Sequence, residues 1–555
     1  MSDRLKEFEN TVFDVVVIGG GIYGAALTWA AARRGLKTAL IEQADFGHAS
    51  SSSSLKIMHG GLRYLQQLDF KRMRDSIRAR RQAFILAPHL VHPASFMVPT
   101  VRFGLQHKLL MTAAFLMNDT ISWDRNQGVP AGHRIPRGRI LPHRKLNGLL
   151  DGVACMDVTG AALWSDGFVE NTERFTYSLV KSAALEGAVT ANYVRAEELI
   201  RHDGCVVGVR VRDLVSDTPT EIRGNITVNA GGPWLGELTG GAPDNRYPWG
   251  WTRGYNIIVR RRFFDDYGVG LEGRADDYDS ASVVKRQQRN FFFAPWRSGT
   301  IIGTIYRRYT DMPGKSRLDP EEIESFIREV NGLYPPAELT MEDVTYAHVG
   351  VLPAPLKMTP GDNVDPARDT QVVDGRKAGL DGYYAVRGVK YTTAIEVAER
   401  LATQWAGAAA MPVSRSLYGG ERLISVGEVD GAARELKLKL DADVAENLAV
   451  QYGARFGDVL AQIGDQADLA QPLAAGVRTI GAQVLHAVRK EQALHLSDAV
   501  LRRTALGSFR YPGRPAVEKC AALMAGELHW DESRKASEIQ ALHDHYENRG
   551  VAHAI

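Results

Sequence analysis

Three glycines, one carboxylate and a run of hydroxyls near the N-terminus have the types and spacing to hold a dinucleotide. Gly19, Gly21 and Gly24 form a G-x-G-x-x-G set directly after the apolar run Phe13-Asp-Val-Val-Val-Ile18, and Glu42 closes a second apolar run, Thr38-Ala-Leu-Ile41. Glycines so placed allow a tight turn, bring backbone N–H groups close to a pyrophosphate at a helix N-terminus, and let that helix lie near the strand. An acid about 20 residues past the first glycine suits a ribose hydroxyl. Ser50, Ser51 and Ser52 belong to a five-serine run that follows. Such a run is linker-like in composition. Linkers seldom interrupt this half of a doubly wound domain, so its position predicts donors for a second phosphate contact.

The elements that position these groups form a strand–helix–strand unit at the head of a chain of 555 residues, too long for one core. Lys plus Arg number 67 against 65 Asp plus Glu, which gives no reason to expect nucleic acid. Cys155, Cys205 and Cys520 are widely separated and odd in number, so neither a disulfide framework nor a metal site is expected, and the compartment reads as reducing. The charged start Met1-Ser-Asp-Arg-Leu-Lys6 does not resemble a secretory signal, and no apolar run reaches the ~20 residues of a spanning helix. A cytoplasmic location follows. Residues 66–86 predict a basic helix carrying Lys71, Arg72, Arg74, Arg78, Arg80 and Arg81 on a solvated face. Residues 101–117 carry an apolar face that suits either a buried core or a bilayer interface.

With GGGIYG and the serine loop on the page, His59-Gly-Gly-Leu-Arg-Tyr64 completes a pattern that resembles the FAD-dependent glycerol-3-phosphate dehydrogenases, the membrane-associated, quinone-reducing kind. The resemblance implies an α/β (α+β) two-domain flavoprotein: a Rossmann-like FAD-binding domain (1–90, 151–240 and 370–412) and an antiparallel-sheet substrate domain (91–150 and 241–369), with a helical C-terminal domain (413–555). It also implies FAD contacts at Val194, through its backbone, and at the turn Ala230-Gly231-Gly232. A last pass is expected at Gly388-Val-Lys390-Tyr391-Thr392, where a strand runs into a helix start and the N–H groups and Lys390 face the flavin pyrimidine. Arg63 and Tyr64 are expected at the substrate, Arg63 as a bidentate anion holder joined by Arg368. The resemblance further implies attachment to the cytoplasmic face of the inner membrane and leaves a homodimer open.

Several substrate-side positions depart from that pattern. A family histidine is Asn256, a family arginine in Gly-Val-Arg-Pro is Leu352, and the Gly-Thr-Thr-Asp turn reads Gly303-Thr-Ile-Tyr306. The expectation is therefore hydride transfer from a secondary alcohol on a small anionic substrate, glycerol 3-phosphate by default, to flavin N5 and on to a quinone or, failing that, oxygen. His59 and His348 are the candidate bases. A different polyol phosphate, hydroxy acid or amino acid remains an open alternative, as does a flavin-bound interaction protein without turnover. The C-terminal helices, including Leu496-Ser-Asp-Ala-Val-Leu-Arg-Arg-Thr504, read as structural or interactive rather than catalytic.

Overall fold

A computed structural model describes residues 4–102, 106–146, 148–154, 157–239, 249–273, 290–311, 314, 316–355, 364–407 and 416–554. Cys155, residues 103–105 of the apolar segment, and the expected domain boundaries at 240/241 and 412/413 lie outside the described residues.

The first sheet runs Gln371–Asp374, Tyr383–Arg387, Thr218–Asn229, Val12–Ile18, Thr38–Ile41, Val189–Ala191, and its central pairings are parallel. Val194–His202 and Cys205–Asp213 extend it as an antiparallel meander onto Thr218–Asn229. Strand Val12–Ile18 is apolar on both faces because Val15 and Val17 pack under helices while Phe13, Val16 and Ile18 pack against Val194, Val209, Val211 and Ile222 of the meander. The helix Ile22–Ala32 is buried along its whole length between Thr172–Leu185 and Ala394–Ala406, which explains why its sequence is apolar all round.

The second sheet has the order Val344–Pro355, Trp249–Val259, Gly299–Tyr309, Asn290–Trp296, Tyr267–Glu272, Val91–Val101, Val158–Val169, Ile57–Met58. Its pairings are antiparallel apart from Tyr267–Glu272 on Val91–Val101. Ile57–Met58 and Val158–Val169, which lie in the segments 1–90 and 151–240, pair within the second sheet. The chain therefore crosses from the first sheet to the second between Ile41 and Ile57, just before His59 and Arg63. The C-terminal part is helical from Val426 to Glu547, and its core merges with that of the second sheet through Val500, Val517 and Tyr546.

The basic helix runs from Phe70 to Leu86, capped by Asp69, whose carboxylate accepts the Arg72 N–H at 3.2 Å. Its charge is not one solvated face. Lys71 and Arg78 are exposed, whereas Arg74 and Arg81 share Asp124, Arg80 pairs with Asp166, and Arg72 turns inward. Periodicity records where charges fall on a helix but not which acids a distant strand brings opposite them.

Candidate functional site

The two sheets and the glycine turn border a cleft. Its floor is set by close backbone crossings. Gly19, at φ +100°, passes so near Ala230 that a Cβ would lie 2.7 Å from the Ala230 oxygen, and a Cβ on Gly24 would lie 1.8 Å from the Gly19 oxygen. At one end Glu42 accepts the Gly20 N–H at 2.6 Å and the Ala44 N–H at 2.8 Å, while Val194 N–H donates to the Glu42 carbonyl at 2.8 Å. Gln43 and Val194 line this end.

The three serines divide their work. Ser51 Oγ accepts the Ile22 N–H at 2.9 Å, at the head of the glycine helix. Ser50 Oγ donates to the Val351 carbonyl at 2.7 Å and accepts its N–H at 3.0 Å, which laces the serine loop to the second sheet. Ser52 Oγ turns to the Ala49 carbonyl at 2.8 Å, inside its own loop. Ala230, Gly231 and Gly232 line the cleft between these points, with Gly231 N–H held by Asn229 Oδ1 at 3.0 Å.

Gly388, Lys390 and Tyr391 line the far end. Thr392 is buried there and the helix starts at Ala394. The Tyr391 hydroxyl turns away, donating to the Thr172 carbonyl at 2.8 Å. Sequence reasoning missed Tyr23. Its hydroxyl lies 2.7 Å from Thr370 Oγ1 and 2.8 Å from the Lys390 carbonyl, and a Cβ on Gly388 would strike its ring at 2.2 Å. Tyr23 thus ties the glycine helix to the 388–390 turn. It occupies a free position of the glycine motif, so spacing gave no signal for it.

Beyond Lys390 lies a cationic cluster built around one ring. Tyr64 is fully buried, with Lys390 Nζ 4.1 Å from its ring centroid, Arg72 at 4.5 Å, Arg63 at 5.6 Å and the His59 ring edge-on at 5.8 Å. Burial lowers Lys390 to a pKa of about 7, and the neighbouring Arg72 and Arg63 push it the same way. Burial likewise drives His59 well below its ordinary value, aided by Lys390, Arg63, Arg80 and Arg72, so its imidazole is neutral at neutral pH. The backbone beside it is fixed because Gly60 N–H donates to Asp166 at 2.6 Å. Arg72 was absent from the sequence-derived site; its Nε lies 3.1 Å from Asp369 and it also donates to the Arg368 carbonyl. Arg368 itself is half exposed and donates to Asp69 at 3.0 Å.

The positions that depart from the family pattern sit on three adjacent strands. Asn256 faces His348 on one side and Gly303 on the other, Thr252 faces Leu352, and Gly254 faces Tyr306, whose ring packs on it. Asn256 is buried, its Oδ1 accepting the Thr304 hydroxyl at 2.6 Å. Leu352 lines the cleft. His348 does not: its ring packs against Trp296 and Tyr346, and its Nδ1 lies 3.0 Å from the Ser54 carbonyl. Among the described residues there is no cluster of His, Cys, Asp or Glu able to hold a metal and no helix long and apolar enough to cross a membrane.

A family model described as FAD dependent oxidoreductase matches residues 14–404, and one described as the C-terminal domain of alpha-glycerophosphate oxidase matches residues 413–535. The chain is 30% identical over 567 residues to a glycerol-3-phosphate dehydrogenase from a Synechocystis species, covering 99% of each. To a glycerol-3-phosphate dehydrogenase from Mycobacterium leprae it is 30% identical over 543 residues, 95% of this chain and 86% of the relative. The crystal structure of the glycerol-3-phosphate dehydrogenase from Bacillus halodurans complexed with FAD shares the fold, with a TM-score of 0.75 at 21% identity over 99% of this chain and 98% of that one. A cleft with Gly19 and Gly21 in its lining, inside a match of this extent, shows that the chain belongs to the FAD-dependent oxidoreductase family.

Proposed function

We propose that this protein oxidises the secondary alcohol of a small anionic substrate, sn-glycerol 3-phosphate first among them, to the corresponding ketone. The carrying observation is the ring of cations, Arg63, Arg72 and Lys390, around buried Tyr64 where the cleft reaches the 388–390 turn. Residues of the cleft fit FAD: Gly19 and Gly21 line it and Gly19 crosses Ala230 too closely for any side chain, Glu42 and Val194 stand at the adenosine end, and Gly388 and Lys390 at the flavin end. When bound, FAD supplies the acceptor for a hydride from the carbinol carbon.

The protein's own groups do the rest. Arg63 and Arg72 hold the anion, since guanidinium presents a fixed fork of donors to phosphate or carboxylate. Arg368 braces Asp69 at the rim. His59, held neutral by its surroundings, takes the hydroxyl proton, and its buried Nδ1 has no protein partner. Tyr64 orients the hydroxyl end. His348, packed against Trp296 away from the cleft lining, supports the sheet. Leu352, which lines the cleft, makes the sheet side of the pocket less polar than the family pattern, which favours a second reading in which a related polyol phosphate or hydroxy acid is the better substrate.

The test is anaerobic flavin bleaching by a panel of glycerol 3-phosphate, other polyol phosphates, hydroxy acids and amino acids. Bleaching by glycerol 3-phosphate is the expected result. Bleaching by amino acids alone would overturn the substrate class. Reoxidation by a soluble quinone faster than by oxygen is expected for a dehydrogenase; the reverse assigns an oxidase, the activity for which the C-terminal family model is named.

The same reading includes contact with a membrane surface. Helix Lys108–Ile121 exposes Leu109 (75%), Leu110, Leu116 (66%) and Met117, and Trp123 (75%), Leu68 and Phe70 are also exposed. An apolar stripe with Lys108 at the head of its helix and Arg137 beside Asp119 of the same helix suits an anionic interface. The double variant Leu109→Asp with Leu116→Asp is expected to stop co-sedimenting with phosphatidylglycerol vesicles while flavin bleaching is unchanged. Equal sedimentation of both proteins removes this helix from the contact.

A further inference from the structure

The C-terminal helical region reaches back to the cofactor-binding half of the chain at one buried carboxylate. Asp45 lies three residues past Glu42 and is fully buried. Arg503 Nη2 donates to its Oδ1 at 2.6 Å and Arg503 Nη1 to its Oδ2 at 2.9 Å. Arg502 Nε also donates to Oδ2, at 2.6 Å, and Asn192 Nδ2 to Oδ1 at 3.0 Å. Both arginines come from Asp498–Arg503, a widened helical turn in which Thr504 N–H reaches back five residues to the Ala499 carbonyl at 3.0 Å. That widening lets two consecutive side chains reach one carboxylate.

Each arginine is held from behind. Arg502 Nη2 donates to Asp498 at 2.6 Å, and Asp498 accepts the Tyr193 hydroxyl at 2.7 Å. Arg503 Nε donates to the Glu491 carbonyl at 3.0 Å, and its guanidinium lies 4.1 Å from the Tyr177 ring centroid. Two cations thus face two carboxylates, Asp45 and Asp498, so the burial is charge-balanced and hydrogen-bonded.

The opposite side of the Asp45 segment is the cleft. Glu42, Gln43, Gly47, His48 and Ala49 all line it. The Asp45 carbonyl accepts the His48 N–H at 3.2 Å, and Gly47 N–H donates to the Gly20 carbonyl at 3.0 Å, within the glycine turn itself. Phe46 packs so closely on Gly20 that a Cβ there would lie 2.5 Å from its ring.

We propose that Arg502 and Arg503 are positioning residues for the cofactor: through Asp45 they hold the loop from Glu42 to Ala49 in the shape that receives the adenosine half of FAD. The helical region is then part of the cofactor site although no residue of the 498–503 turn lines the cleft. Its effect is on affinity, because releasing Asp45 frees the carboxylate-bearing loop to adopt shapes that bind less well.

The test compares FAD affinity with thermal stability in deflavinated protein, reading flavin fluorescence quenching on reconstitution. Arg503→Met and Arg502→Lys are the probes. Leu448→Ala is the control, since it opens the core of the C-terminal helices without touching Asp45, Arg502 or Arg503. Arg503→Met is expected to weaken FAD binding by about tenfold or more, and Arg502→Lys, which keeps the charge but loses the fork, by less. The control is expected to lower thermal stability with FAD affinity unchanged. A folded Arg503→Met, by far-UV dichroism, that binds FAD as the parent does overturns the proposal. So does an equal loss of FAD affinity in Leu448→Ala. Should Arg503→Met not fold, Arg502→Lys decides by the same readout.

Discussion

Lys390→Met is expected to lower kcat by about 10²–10³-fold, the usual cost of removing one preorganised donor at a developing negative charge. Among the described residues, Lys390 both lines the cleft and stands 4.1 Å from the Tyr64 ring beside Arg63 and Arg72. Met preserves the length and apolar stem, and the Tyr23 contacts to the residue-390 backbone carbonyl survive. What is lost is charge, so the fall should appear in the rate of flavin reduction under anaerobic stopped flow rather than in FAD content. A reduction rate within threefold of the parent would falsify the role.

The same substitution carries a pH signature. In the cofactor-free protein Lys390 has its pKa lowered to about 7. Its charged form, which attracts anions, is therefore full below that pH and is lost as pH rises through it. Sulfate, a dianion across this range, should bind more weakly as pH rises from 6 to 8, and the slope should flatten in Lys390→Met. Titration calorimetry of the deflavinated protein measures both.

How much of this was legible in the sequence depends on the range of the interaction. Gly19, Gly24 and Glu42 announce themselves because steric demands within one strand–helix–strand unit leave a local spacing. The aromatic and β-branched runs around Asn256, Phe291 and Thr300 lie in strands of the second sheet for the same reason: period and residue type are properties of short segments. Arg72 was misplaced on a solvated face because the groups that turn it inward, Tyr64 and Asp369, come from a neighbouring turn and from a segment almost 300 residues away. Nothing local to Val158–Val169 says which sheet that strand joins. Asp45 and Arg503 are 458 positions apart, and no periodicity links an acid in one loop to two arginines in a distant helical turn. The cofactor half was thus written locally, and the supports that shape it were not.

Arg174→Met should cost about 3–5 kcal/mol of unfolding free energy, the range for breaking a buried ion pair from one side. Arg174 Nη1 donates to Glu491 Oε2 at 2.6 Å, and their side chains are 1% and 0% exposed. Arg174 also donates to the Gln451 carbonyl at 3.0 Å and stacks 4.3 Å from the Tyr452 ring, so the pair fastens helix Thr172–Leu185 to the C-terminal helices. Burial alone would push the Glu491 carboxyl up; Arg174 and His486 overcome it and hold the group well below the usual carboxylate range. A folded-state pKa below the unfolded value of about 4.3 contributes stability that is full above that pH and is lost only as pH falls through it. In Arg174→Met the burial penalty is left facing His486 alone, so Glu491 takes up its proton at a higher pH. Between pH 7.5 and pH 5 the parent keeps its full contribution from this carboxylate while the variant relieves a strained charge. The difference in melting temperature should therefore be largest at pH 7.5 and shrink toward pH 5, and a gap that stays constant or widens on acidification would show that the pair is not what joins the two regions.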